Sequence, residues 1–191
     1  MVYNTKIKVG ISHGDINSIS YEVIMKTLQE PRILEMCTPI VYGSPKVAAY
    51  HRKALNIENL SFNHIRTPHE ASANRANIIN CIDENIRVEL GKSTEAAGES
   101  SFLALERAVA DLKKGLVDVL ITAPINKDNI QSEKFNFPGH TEYLAQHFNT
   151  RDFAMLMVSQ NLRIGVVTGH IPLSEVAGQV TRDKILSKLR I

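Results

Sequence analysis

Short apolar runs and amphipathic stretches take turns along this chain, and that alternation restricts the possible folds more than any other feature. "IKVGIS" (7–12), "TPIVYG" (38–43) and "LVDVLIT" (116–122) have the length and continuous apolarity of strands buried on both faces. After the first, "SYEVIMKTLQE" puts Tyr21, Ile24, Met25 and Leu28 on one helical face. After the second, Ser44 can cap a helix with Pro45 at its first position, running through "KVAAYHRKAL". "LSFNHI" and "NIINCI" read as strands within the more polar stretch 56–97. The strongest helical period covers 99–114: Phe102, Leu105, Val109, Leu112 and Leu116 recur at intervals of three and four, and Gly115 marks the end. "FAMLMVS" (153–159) and "LRIGVVTG" (162–169) read as two more strands, joined by a turn at Gln160 and Asn161, and Thr181 caps a last helix, "RDKILSKLR". Alternation of this kind predicts an α/β fold, with helices on the faces of a mostly parallel sheet.

Charge and length narrow the function classes. The 191 residues carry 22 basic and 20 acidic side chains, a net charge of +2 that gives no electrostatic footprint for nucleic acid. With 43% hydrophobic residues, the chain can bury a core for one domain, or one and a part. No apolar run reaches the length of a membrane span or of a signal-peptide core, so no membrane partner and a cytoplasmic location are expected. Cys37 and Cys81 lack the close spacing of a zinc or redox motif and are expected to be reduced and buried. The last helical pattern runs to an apolar Ile191 without a terminating glycine or proline, which gives the chain the look of one that has been cut.

Four polar clusters carry the candidate chemistry. Three follow apolar segments: "SHGDINS", "TAPINK" and "TGHIPL"; the fourth, "FPGHTEYLA" (137–145), puts His140, Thr141 and Glu142 at a glycine-containing corner where a helix is expected to start. Each has a plain structural account. Asp15 and Asn17 suit turns and caps, Lys127 suits a solvated loop, and a single histidine is more often structural than a ligand. Ligands of open α/β sheets, however, bind beyond the carboxyl ends of strands, and the shared placement of these clusters points to one crevice. A G-x-G-x-x-G fingerprint after the first strand, a Walker A loop, a nucleophile elbow and an H-E-x-x-H helix are all missing. His140 and His170 stand 30 positions apart, a spacing that does not by itself make a metal site.

"GISHGDINSISYEVI", "APINK", "FPGHTEYLA" and "LRIGVVTGHIPLSEV" together resemble the 4-hydroxythreonine-4-phosphate dehydrogenases of vitamin B6 biosynthesis, in order and spacing over almost the whole chain. The resemblance implies an α/β/α layered, mixed but mostly parallel sheet of the isocitrate/isopropylmalate dehydrogenase type. It makes residues 1–191 the N-terminal part of a family chain, with a sub-boundary near 124–140. It implies NAD-dependent oxidation of a phosphorylated hydroxy amino acid, then decarboxylation, assisted by a divalent ion (zinc, magnesium or cobalt). Such a cation stabilises the negative charge that develops on the substrate oxygen. By this resemblance His140 and Thr141 bind the small phosphorylated substrate, His170 is a metal ligand, Glu142 serves the helix start, and the enzyme is a homodimer. Lys127 is a candidate catalytic residue, for phosphate neutralisation or proton transfer. Asp15 would help order the first loop near the coenzyme, whose own contacts the resemblance leaves unassigned.

The chain departs from the family pattern in two ways. The "G-[DE]-P-x-G-I-G-P" loop becomes "GDINSIS", with glycines and proline replaced around Asn17, Ser18 and Ser20. The downstream "N-P-H-A-G-E-x-G" and "H-D-Q-G" segments, which supply two further metal histidines, do not occur. Three alternatives accompany this reading. The enzyme could act on another four-carbon phosphorylated hydroxy acid, it could be a phosphate acyltransferase, or the 191-residue chain could be an inactive fragment.

Overall fold

The computed structural model describes residues 6–191 and divides the chain into two compact units, 1–140 and 141–191. In the first unit the elements run β1 (Ile7–Ser12), α1 (Ser20–Leu28), α2 (Pro31–Met36), β2 (Cys37–Gly43), α3 (Pro45–Ala54), β3 (Asn63–Ile65), β4 (Asn77–Asn80), α4 (Glu95–Lys113) and β5 (Val119–Thr122). Their sheet has the order β3-β4-β2-β1-β5, and every neighbouring pair is parallel. The chain leaves β1 for β2 on one side and reaches β5 on the other, so β1 lies at the switch point where ligand crevices of such sheets form.

Two apolar layers hold this sheet. Tyr21, Ile24, Met25 and Leu28 of α1 are buried with Val9, Ile11 and Val41. Ala104 and Ala108 of α4 are buried with Ile40, Tyr42 and Ile79. Ser44 accepts from the Val47 N–H and Pro45 takes the first position of α3, as the sequence pattern requires. Helix α4 starts at Glu95, four residues before the periodic stretch, because the Thr94 hydroxyl accepts the Ala97 N–H and caps it there. The short α2, capped by Glu30 with Pro31 at its first position, has too few turns to show an apolar period in sequence. Strand β5 begins only at Val119, since Asp118 turns its carboxylate onto the Lys8 N–H at 2.7 Å.

Helix α5 (His140–His147) begins at the last residue of the first unit. The second unit then contains β6 (Leu156–Ser159), β7 (Leu162–Gly165), α6 (Leu173–Gln179) and α7 (Arg182–Arg190), the last capped by Thr181. The expected pair of strands forms, shorter than the apolar runs, as a separate two-stranded antiparallel sheet of β6 and β7. Only Gln160 and Asn161 separate them, and a two-residue loop joins antiparallel strands, whereas a parallel crossover needs a dozen residues or more. Among the described residues no helix is long and apolar enough to cross a membrane.

Candidate active site

Two loops close on each other at the carboxyl ends of β1 and β5. The Asp15 N–H and the Ser20 hydroxyl both donate to the carbonyl of Pro124, at 2.9 and 2.8 Å. Gly14 makes this approach possible: its φ is +68°, and a Cβ there would stand 2.2 Å from the same carbonyl oxygen. In the second loop Asn126 accepts the Asp128 N–H at 2.9 Å and donates to the Ser93 hydroxyl at 3.1 Å. Between these loops and the 89–94 segment lies a cleft of about 610 Å³, lined by Asp15, Asn17, Ile19, Leu90, Lys92 and Asn126 among others. Of the lining residues, Ile19 and Leu90 are apolar and 59% and 51% exposed, and Asp15 is buried. A volume of this order suits a cofactor-sized ligand.

Two histidines, His13 and His51, are buried in this unit, and His51 also lines the cleft. His13 is wholly buried. Its Nε2 lies 3.1 Å from the Ser100 carbonyl, which only accepts, so this nitrogen carries the proton. Its Nδ1 therefore accepts from the Tyr21 hydroxyl at 3.1 Å, and that oxygen accepts the Ser44 N–H at 2.9 Å. Burial first, and His51 to a smaller degree, bring His13 down to a pKa of about 4 despite the Ser100 bond. His51 stacks on Tyr21 with centroids 5.1 Å apart and donates through Nε2 to the Ile16 carbonyl at 2.8 Å. Its pKa is lowered, again chiefly by burial. Cys81 has its thiol pKa pushed up to about 12 by burial, and Cys37 is also raised; both are free and half-buried rather than fully buried.

His140 is different. It is half-buried, and its Nε2 is shut off from solvent without a hydrogen-bond partner. Burial lowers its pKa, and the nearby ammonium of Lys127 lowers it further. The Lys127 charge is thus felt at His140, both of them candidates from sequence. Gln131 ties their two loops together, donating through Nε2 to the carbonyls of Lys127 at 3.1 Å and Phe137 at 3.0 Å. Phe135 anchors the same corner, its buried ring edge-on to Phe102 and Phe137 with centroids 6.3 and 5.4 Å away. Nothing in the sequence pattern singled out Gln131. Asn129, which faces Asp15 at 3.4 Å, also went unnoticed, and its buried Oδ1 lacks a partner. Thr141, half-buried, follows His140 as the second residue of α5, and Glu142 lies in the first turn.

In the second unit, His170 is exposed and holds φ at +54°, a conformation uncommon for residues with a side chain. It does not follow its strand directly: β7 ends at Gly165, five positions earlier. No group of three or more His, Cys, Asp or Glu side chains that could hold a metal ion occurs among the described residues.

A parallel sheet with a cleft at the carboxyl end of its switch-point strand defines an α/β fold. Residues 35–191 match the family model described as pyridoxal phosphate biosynthetic protein PdxA, and the chain belongs to that family. It is 49% identical over 187 residues to the 4-hydroxythreonine-4-phosphate dehydrogenase of Bacteroides thetaiotaomicron, covering 97% of this chain and 51% of the relative. The enzyme of the same name from a Sulfurihydrogenibium species is 33% identical, with 97% and 56% covered. The crystal structure of a 4-hydroxythreonine-4-phosphate dehydrogenase from Burkholderia phymatum superposes with a TM-score of 0.86 at 25% identity, over 98% of this chain and 57% of that one. The chain thus spans about half the length of the curated relatives it matches.

Proposed function

We propose that the complete enzyme oxidises the secondary alcohol of 4-hydroxythreonine 4-phosphate with NAD and that the resulting β-keto acid loses carbon dioxide, within pyridoxal phosphate biosynthesis. The observation that carries this reading is the buried, unpartnered Nε2 of His140 beside the Lys127 ammonium. A buried polar nitrogen without a partner is costly, and a bound anion would satisfy it. His140 and Thr141 would hold the substrate's anionic groups at the start of α5, where helical N–H groups also favour negative charge. Lys127, on an exposed loop, would neutralise the phosphate or assist transfer of the hydroxyl proton as hydride departs.

NAD, when bound, accepts the hydride. The cleft lined by Ile19 and Leu90 fits such a coenzyme: these apolar side chains suit a flat ring, and Asp15 and Asn126 offer polar contacts. His170 would be one imidazole ligand of a zinc, magnesium or cobalt site whose other ligands are supplied from outside these residues. We also place the enzyme in the cytoplasm, as a homodimer with no nucleic-acid or membrane partner. Support for association comes from β6 and β7, whose Leu156, Met157, Val158 and Leu162 are all exposed.

Steady-state kinetics of the full-length enzyme test the reading. His140→Ala and Thr141→Ala are each expected to raise KM for the phosphorylated substrate about 10- to 100-fold, the cost of a hydrogen bond to a charged group. Chelation is expected to abolish turnover, with zinc, magnesium or cobalt restoring it. Full activity of both variants would overturn the assignment of the substrate site.

A further inference from the structure

We infer that Asn17 is a positioning residue that sets the width of the coenzyme cleft; this rests on the reading of that cleft given above. Asn17 stands in the first loop and is 3% exposed. Its Oδ1 accepts the Glu89 N–H at 2.7 Å, and its Nδ2 donates to the Lys92 carbonyl and the Thr94 hydroxyl, each at 3.0 Å. Its main-chain carbonyl accepts the Gly91 N–H at 2.8 Å, and its own N–H donates to Asp15 at 2.8 Å. One residue thus makes four bonds to the 89–94 segment.

That segment has little else to hold it. Leu90, Gly91, Lys92 and Ser93 are all exposed, and Gly91 sits at φ +76°. Apart from Asn17, the hydrogen bond from Asn126 to Ser93 connects it to the loop after β5. Leu90 to Ser93 of this segment and Ile19, two residues beyond Asn17, all line the cleft. Both side-chain amide protons are used, and Oδ1 is already an acceptor, so the Asn17 amide has no donor left for a ligand. Its contribution is to hold the segment that lines the cleft. A cleft whose wall is already ordered binds its ligand without first meeting the cost of ordering it.

The test uses the full-length enzyme with Asn17→Ala, and with Asn17→Asp as a variant of equal size that loses both donors. The expected result is a KM for NAD raised about tenfold, with kcat at saturating NAD and KM for the phosphorylated substrate both within about threefold of wild type. Amide exchange at Glu89 and Gly91 should accelerate in both variants, while exchange in β1 stays slow. Unchanged KM for NAD in both variants overturns the inference, as does a fall confined to kcat. If the wild-type enzyme neither binds nor uses NAD, the coenzyme reading of the cleft fails. Exchange at Glu89 and Gly91 then decides separately whether Asn17 holds the wall, and protection unchanged by either substitution refutes it.

Discussion

Two regions of the first unit bury a histidine and use it in opposite ways. In the core, His13 has both ring nitrogens bonded, to the Ser100 carbonyl and the Tyr21 hydroxyl. At the start of α5, His140 is shut off from water at Nε2 with nothing bonded to it and a lysine charge nearby. Burial lowers the pKa of both rings, so neither burial nor the direction of the shift distinguishes them. Complete accounting of hydrogen bonds does. The His13 imidazole is bonded at both nitrogens, whereas the unpartnered His140 Nε2 is the basis for proposing an anion site there.

Alanine substitution is the strongest way to break this comparison. His13→Ala takes one hydrogen bond each from the Ser100 carbonyl and the Tyr21 hydroxyl, which keeps Ser44 as a partner, and opens a cavity; it is expected to cost about 3–5 kcal/mol of stability. His140→Ala removes a ring that makes no bond at Nε2 and is expected to cost about 1 kcal/mol or less. Urea denaturation of the two variants measures the difference; equal costs would erase the distinction between a structural and a functional histidine.

Acid sharpens the same contrast. The folded chain holds His13 neutral down to about pH 4, whereas an unfolded chain protonates the same ring near its ordinary value of 6.5. The contribution is therefore fully present above pH 6.5 and is lost as pH falls toward 4, a loss of roughly 3 kcal/mol. His13→Gln should flatten that part of the pH–stability curve measured between pH 7.5 and 4.5, whereas His140→Gln should leave it largely intact. If both variants keep the wild-type slope, His13 is not the group responsible.

The sequence carried the elements of the sheet clearly, since Tyr21, Ile24, Met25 and Leu28 keep an unbroken helical period and Ser44 with Pro45 is a cap that propensity alone specifies. It also contained the hairpin, in the two residues between "LMVS" and "LRIG", though apolarity alone did not reveal the antiparallel pairing. Lys127 and His140 were legible as chemistry-bearing residues, but their proximity was not. It depends on Gln131 reaching two carbonyls and on Phe135 anchoring the corner, and tertiary hydrogen bonds leave no periodic trace. The role of Asn17 was hidden for the same reason. A turn-forming asparagine looks alike in sequence whether its amide faces water or bridges to residues more than seventy positions away.

A smaller effect is expected from Lys127→Ala. Removing the ammonium takes away one of the two causes that lower the His140 pKa, so that pKa should rise, while burial keeps it below the ordinary histidine value. A histidine NMR titration of the variant and the wild type reads this directly. An unmoved His140 would separate the lysine from the site.

The same resonances test the central claim, that the lysine–histidine pair receives the substrate's anionic end. Histidine-labelled full-length enzyme would be titrated with 4-hydroxythreonine 4-phosphate in the absence of NAD. The account predicts that the His140 imidazole shifts saturably and that its pKa rises on binding, while His13, already bonded at both nitrogens, does not move. Saturable binding that leaves the His140 resonance and its pKa unchanged would contradict it.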